Sequence, residues 1–271
     1  MSRSLWFVDL LKKAFPGRFL LARSTKVPIL GGILDRWLFE NDDLFYLPKN
    51  QAILINQQIQ VPDEIVLPSQ VVEHFIQRAN VHWIMDACIC RQATRCEDYP
   101  INYGCLFLGD AALGINPGLG RQVTRDEALE HVHRCREAGL VHLVGRNKLD
   151  TIWLGVSPGT KLLTICNCCP CCCLWKILPH TTPKISKKIT RMPGVTVVVS
   201  DRCVGCGTCN EDVCFVSAID MVDGYSVISA ACRGCGRCVT ICPEGAIEID
   251  VETDRFVEKS IDRISALVDL S

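Results

Sequence analysis

The pattern of apolar and polar positions predicts a mixture of helices and strands along the chain. Residues 5–15 carry apolar side chains at helical spacing until Pro16 ends the helix. Residues 52–61 alternate in part and predict a strand or hairpin. Residues 256–270 place apolar side chains on one helical face and predict a final helix that packs back on a domain. The chain therefore begins and ends in predicted helices.

The middle of the chain carries helix start and stop signals. Ser69 is the predicted N-cap of a helix that runs to about Asn80. Thr124 and Glu127 form a capping box, and Gly139 ends the helix that follows. Strands are predicted at residues 81–85, 141–144, 161–165 and 195–199. The fold class is therefore α+β, and the order helix, strand, helix, strand pair favours a winged-helix-like arrangement before residue 178.

Composition shifts divide the chain into segments. Residues 178–193 hold three prolines and four basic side chains, which predicts a linker. Without interleaved aromatic residues, this basic segment is a weak nucleic-acid signal. We expect five segments: a partner-docking extension (residues 1–60), a cysteine-rich domain (61–177), a linker (178–194), a C-terminal domain (195–252) and a closing helix (253–271). The basic first helix packs on the protein, docks a partner or contacts a membrane surface.

Nineteen cysteines among 271 residues decide the chemistry. The net charge is −1, so nothing global indicates nucleic-acid binding. Asp9 and Lys12 interrupt the only signal-like apolar run, and no 18-residue uncharged apolar stretch predicts a transmembrane helix. Disulfide frameworks belong to short secreted chains, and cysteines at two- to four-residue steps suit metal binding better. We expect a cytoplasmic protein of an anaerobe.

The strongest motif is an internal repeat of four cysteines near the C-terminus. Cys203, Cys206 and Cys209 recur 29 residues later as Cys232, Cys235 and Cys238, whereas Cys214 recurs as Cys242 after 28 residues. The first half therefore has one extra residue before its fourth cysteine. A 4Fe–4S cube needs four thiolates, one for each iron, and this spacing wraps three of them around one cube. The glycines between them let the backbone approach the sulfurs: Gly205, Gly207, Gly234 and Gly236.

This segment, over about residues 195–251, resembles the bacterial-type dicluster ferredoxins. The resemblance implies two pseudo-symmetric β-hairpin-and-helix halves, two 4Fe–4S clusters and one-electron transfer at low potential. In the two-cluster arrangement the fourth cysteine of each half binds the other cube. The expected ligand sets are Cys203, Cys206, Cys209 and Cys242 for one cluster, and Cys214, Cys232, Cys235 and Cys238 for the other. One departure is Phe215, which stands where the family has proline.

A second constellation of ten cysteines lies upstream, in two segments. They are Cys88, Cys90, Cys96 and Cys105, then Cys166, Cys168, Cys169, Cys171, Cys172 and Cys173. Soft, sulfur-only surroundings select iron–sulfur clusters, zinc or copper(I). Cys135 lies on the apolar stripe of the capped helix and is expected to be a core cysteine. Arg91 lies either over a cluster, where its charge raises the potential, or on the surface.

The upstream pattern resembles an N-terminal module that precedes dicluster ferredoxin domains in anaerobic bacteria and archaea. The resemblance rests on Cys88-Ile-Cys90-Arg91, on a Glu-Ala-Leu helix that ends in Gly-Leu-Val-His, and on the cysteine run of residues 166–173. It implies iron–sulfur binding but names no substrate. We expect one or two further clusters shared between the two segments, with ligand sets from one segment or mixed. The alternative is a closed zinc site that ties the segments together.

These motifs favour a multi-cluster electron-transfer protein that relays low-potential electrons between redox partner proteins, within an oxidoreductase complex. The alternative is a reductase or activase subunit whose N-terminal cluster has an open coordination site and performs chemistry. A third hypothesis is a redox sensor on a winged-helix-like scaffold. The near-neutral net charge argues against it. The sequence shows no pair of a nucleophile with its base and no pair of catalytic carboxylates.

Overall fold

A seven-stranded sheet forms the centre of the molecule in the computed structural model, which describes residues 2–50, 67–251 and 255–270. Neighbouring strands are antiparallel except β1 and β7, which are parallel, and the order is β4-β2-β3-β6-β5-β1-β7. The strands are β1 Asp43–Tyr46, β2 His82–Met85, β3 Leu106–Leu108, β4 Gly120–Gln122, β5 Val141–Arg146, β6 Leu163–Cys168 and β7 Ile189–Arg191. With the helices around this sheet, the predicted α+β class is confirmed.

Nine α-helices surround this sheet in the described residues before 195 and after 254. They are α1 Leu5–Ala14, α2 Arg18–Ser24, α3 Leu30–Phe39, α4 Ser69–Arg78, α5 Ile89–Thr94, α6 Arg125–Glu137, α7 Lys148–Leu154 and α8 Pro183–Ser186, and a further helix, α10 Phe256–Ser265, closes the chain. Helices α4, α6 and α10 cover one face of the sheet. Side chains alternate along a strand, so Phe45 points to that face and Tyr46 to the opposite one. The opposite face holds most of the cysteine chemistry.

The C-terminal module, residues 195–251, consists of two antiparallel strand pairs and one helix. Strand β8 Val195–Val199 pairs with β11 Ile247–Val251, and β9 Ile219–Val222 pairs with β10 Tyr225–Ile228. Helix α9 Arg237–Ile241 lies in the second half of the internal repeat. The corresponding part of the first half is a turn, in which Asp212 has a φ of 53°. The two halves therefore share strand pairing but differ where the first contains its extra residue.

Hydrogen bonds dock the C-terminal module on the rest of the protein, among them two from Arg233 to Ser186. The Lys49 backbone N–H donates to the carbonyl of Cys235 at 3.2 Å. The Arg237 guanidinium donates to the carbonyl of Gly139 at 2.9 Å and to the Tyr99 hydroxyl at 2.7 Å. Val195 and Ile249 also belong to the main core beneath α4 and α10. The cysteines of this module are thereby held in fixed positions relative to the upstream cysteines.

Several predicted elements are present with small changes. The capping box forms, because the Thr124 hydroxyl accepts from the Glu127 N–H while the Glu127 carboxylate accepts from the Thr124 N–H. Ser69 is not the cap of α4, since it is the first helical residue and its hydroxyl accepts from the Asn50 amide at 3.2 Å. The strand before the cysteine run extends to Cys168 as β6. Residues 52–61 lie outside the described residues.

Two larger expectations differ from the structure. The winged-helix-like arrangement does not describe this fold, because the predicted strands belong to the seven-stranded sheet. The segment predicted as a linker is folded: it contains α8, and its strand β7 pairs with β1. Its Ile185, Ile189 and Met192 are fully buried. Apolar side chains spaced between the prolines thus outweigh the turn signals.

Helices α1–α3 expose large apolar side chains. Trp6 is 71% exposed, Ile29 84% and Trp37 63%, beside the exposed cations Lys13 and Arg36. In the described part of the chain, no helix combines the length and apolar character needed to cross a membrane. The predicted docking of a partner or a membrane surface would use these exposed apolar side chains. It stays a prediction.

Candidate metal centres

The second C-terminal quartet, Cys214, Cys232, Cys235 and Cys238, lines one small apolar pocket. The hydrophobic walls of this pocket include Val197, Phe215 and Ile228. Burial raises the pKa of Cys235 to about 12, and the neighbouring Cys214 and Cys232 act in the same direction. Thiolates gathered in such an apolar place need a cation to balance their charge. The arrangement brings Cys214 of the first half to three cysteines of the second.

The first C-terminal quartet, Cys203, Cys206, Cys209 and Cys242, lies nearer to the surface. Ser226 joins two of its members, with its N–H 3.5 Å from the Cys203 sulfur and its hydroxyl 3.0 Å from the Cys209 sulfur. Cys209 and Cys242 share an apolar cluster with Ile219 and Ile247. Cys206 is exposed. This quartet is therefore the one that solvent or a partner protein reaches first.

Backbone N–H groups donate to the sulfurs in a way that repeats with the sequence. The Ala218 N–H lies 3.3 Å from the Cys214 sulfur, and 28 residues later the Ala246 N–H lies 3.3 Å from the Cys242 sulfur. A Cβ at Gly205, whose φ is 69°, would collide with the carbonyl of Gly224. The glycines Gly207, Gly234 and Gly236 also have positive φ. These N–H groups stabilise negative charge on sulfur, as an anionic cluster requires.

One group of upstream thiols is compact. The sulfurs of Cys96, Cys169, Cys171 and Cys172, here called the four-thiol group, all lie within 4.8 Å of one another. The Cys96 and Cys171 sulfurs are 3.5 Å apart. The group combines one cysteine of the first segment with three of the second, so thiols of both segments meet in it. Fully buried Cys135 and Leu140 pack beside it.

The remaining upstream cysteines, here called the six-thiol group, line one wall of a large cavity. They are Cys88, Cys90, Cys105, Cys166, Cys168 and Cys173. The cavity has a volume of about 670 Å³, and its other walls come from α1, α2, α3 and α7. These walls are apolar, with Phe7, Leu11 and Trp153 among them, and Arg18 is a cation on the helical side. The Cys105 and Cys166 sulfurs are 3.8 Å apart.

Arg91 lies between the two upstream groups and is completely buried. Its Nε donates to the carbonyl of Pro100 at 2.8 Å, and its Nη1 donates to the carbonyl of Asn167 at 2.8 Å. Its Nη2 donates to the carbonyl of Tyr103. Burial alone lowers the pKa of Arg91, but negative charge at Cys88 and Cys169 raises it above its usual value. Of the two predicted roles, a surface arginine is excluded.

Tyr46 packs with members of both the six-thiol group and the second C-terminal quartet, and no sequence pattern predicts this contact. Burial, followed by negative charge at Cys173, Cys168 and Cys235, raises the pKa of Tyr46 well above its usual value. Its ring stacks on Phe215, with centroids 5.1 Å apart. Its partners lie more than 120 residues away in the chain. The pairing of β1 between β5 and β7 brings them together.

Cys135 and three histidines of the same region are buried in structural places or lie on the surface. Cys135 is fully buried in the apolar stripe of α6, as predicted, and burial raises its pKa to about 12. The His131 ring bonds the carbonyl of Gly104 at 2.9 Å, and the His142 ring bonds the Asn167 amide oxygen at 2.8 Å. His133 is exposed beside Glu137. None of these histidines belongs to a group of three or more metal-binding side chains within the described residues.

One family model matches part of the chain. The LdpA Fe-S cluster-binding domain matches residues 210–252, which include the second C-terminal quartet and Cys242. The chain matches no curated protein and no solved structure. The second C-terminal quartet in its apolar pocket, the N–H groups aimed at sulfur and this match agree in their chemistry. The protein binds iron–sulfur clusters.

Proposed function

We propose that this protein is a multi-cluster electron carrier that passes low-potential electrons from one redox partner to another. The observation that carries the proposal is Tyr46, which contacts both an upstream thiol group and a C-terminal quartet. Two 4Fe–4S clusters in the C-terminal module and at least one in the six-thiol group would then form a continuous series. Their ligands would be the two C-terminal quartets and four of the six upstream thiols, and each iron–sulfur centre would supply one-electron redox chemistry.

The proposed order of the centres follows their burial and contacts. The first C-terminal quartet, which includes exposed Cys206, exchanges electrons with one partner protein. This partner docks on the C-terminal module, where acidic side chains outnumber basic ones. The second quartet lies deeper and shares the apolar cluster that holds Tyr46 and Phe215. Cys168 and Cys173 of the six-thiol group belong to the same cluster. Beneath α1–α3, a second partner or a bound molecule would take up the electrons.

Metal analysis of the full chain, purified without oxygen, tests this function. Three cubes predict about twelve irons and as many acid-labile sulfides per chain, from four of each per cube. Stepwise reduction followed by electron paramagnetic resonance should show more than two 4Fe–4S signals. About eight irons, with signals from two clusters alone, would overturn a relay that extends beyond the C-terminal module.

The cavity favours a second candidate function, in which the six-thiol centre performs chemistry on a small molecule. Its volume of about 670 Å³ falls in the range of small-molecule sites, which is roughly 300–1,000 Å³. Only one wall carries thiols, and the helical walls carry none, so the helices enclose more space than cluster ligation requires. In this function the upstream cluster has an iron facing the cavity. Resonance signals that shift when small ligands such as cyanide are added favour it, and unchanged signals favour pure electron transfer.

A further inference from the structure

We propose that the four-thiol group binds a single zinc ion in a closed tetrahedral site and holds no iron–sulfur cube. The proposal does not depend on the relay, because a structural metal site would serve either candidate function. It concerns Cys96, Cys169, Cys171 and Cys172 alone.

The spacing of the sulfurs is the first argument. Zinc–thiolate bonds of about 2.3 Å in a tetrahedron place neighbouring sulfurs about 3.8 Å apart. The four sulfurs here all lie within 4.8 Å of one another, and the Cys96–Cys171 pair is 3.5 Å apart. A cube binds each thiolate to a different iron, so its four cysteine sulfurs stand farther apart than around one ion.

The four-thiol group can be compared with the two C-terminal quartets of the same protein. The two C-terminal quartets have the sequence spacing of cubane ligands, yet neither forms a group of three sulfurs within 4.8 Å. In the part of the chain that the structure describes, the four-thiol group is the one set of metal-binding side chains that is this compact. Two classes of sulfur site, one compact and one spread out, therefore coexist in one chain.

The surroundings fit a structural site. Cys169 and Cys172 are buried, and the apolar side chain of Leu140 and the thiol of Cys135 pack beside them. Four thiolates leave zinc no open position, which is the arrangement of structural rather than catalytic zinc. Arg91 lies beside Cys169 and offsets the net negative charge of a zinc tetrathiolate.

The position of the four-thiol group indicates the structural role of the ion. Cys96 follows α5, and the other three cysteines follow β6, so one ion would join two loops that are 73 residues or more apart in sequence. Members of the six-thiol group lie close to both loops in the chain: Cys88 and Cys90 at the start of α5, and Cys173 directly after the second loop. Zinc would thus fix the loops so that the six thiols face the cavity.

Metal analysis and zinc X-ray absorption on the anaerobically purified full chain test the proposal. We expect one zinc per chain beside about twelve irons, with zinc surrounded by four sulfurs at about 2.3 Å. Cys171→Ser should lose the zinc and keep the iron. Cys135→Ser changes a buried neighbouring thiol outside the group and should keep both metals.

Three results would overturn the site. They are about sixteen irons with no zinc, a mononuclear iron in place of zinc, and a Cys171→Ser variant that loses about four irons instead of zinc. If Cys171→Ser does not fold, the absorption spectrum of the unmodified protein still decides, because adventitious zinc would show nitrogen or oxygen neighbours. About eight irons with one zinc would support this site while overturning the relay.

Discussion

Replacing Arg91 with methionine is expected to remove the upstream metal centres while the C-terminal module keeps its own. The guanidinium donates to the buried carbonyls of Pro100, Tyr103 and Asn167 and joins the loop after α5 to strand β6. Each carbonyl left without a donor costs about 1–3 kcal/mol. Loss of a buried charge partner also costs about 3–5 kcal/mol, because negative charge at Cys88 and Cys169 would lose its counterion.

Iron, zinc and sulfide analysis of the anaerobic variant measures the loss, and thermal unfolding measures the stability. Arg91→Lys keeps the charge but cannot direct three donors in a planar fork, so it should retain part of the upstream metal. Arg95→Met, an exposed arginine four residues further on, is the matched control and should resemble the unmodified protein. An Arg91→Met variant with its full metal content would show that the guanidinium neither shapes nor neutralises these centres.

The features that the sequence predicted depend on residues that are close together in the chain. The capping box of α6 spans four residues, and the internal repeat needs only the spacing of its cysteines. The repeat extends into the structure, where N–H groups of Ala218 and Ala246 donate to equivalent sulfurs. Features of this kind depend on residues close together in the chain, so the sequence alone predicts them.

The features that the sequence did not predict depend on contacts between distant segments. Arg91 is buried because carbonyls from residues 100, 103 and 167 converge on it. Strand β7 forms because β1, more than 140 residues earlier, offers it an edge. The mixed membership of the four-thiol group also depends on how two loops meet. No pattern in either segment alone specifies its partner, so these features required the three-dimensional structure.

The structure explains the unusual residue Phe215. It follows Cys214, where the second half of the repeat has Pro243. Phe215 is buried and stacks on Tyr46, so the aromatic side chain replaces a turn-forming residue with a contact to the main sheet. The extra residue of the first half lies in the turn where Asp212 has positive φ. The first half of the module is therefore shaped for contact with the upstream domain.

Tyr46→Leu is expected to slow the reduction of the upstream cluster by the C-terminal clusters, without changing the metal content. Tyr46 packs in one cluster with Cys173 and Cys235, and its ring stacks on Phe215. Electron transfer between buried centres slows when the packed atoms between them are removed, and leucine lacks the ring. Tyr46→Phe keeps the ring and its stacking, so it should transfer electrons at nearly the original rate.

Rapid mixing with a one-electron reductant, followed by freezing and electron paramagnetic resonance, measures the order in which the clusters are reduced. Tyr225→Leu removes an exposed tyrosine of the same module and is the control for ring loss away from this contact. Reduction potentials should be unchanged in Tyr46→Leu, which separates a lost pathway from a disturbed cluster. If the upstream cluster is reduced equally fast in Tyr46→Leu, electrons reach it by another route, and the contact between the two halves of the protein serves packing alone.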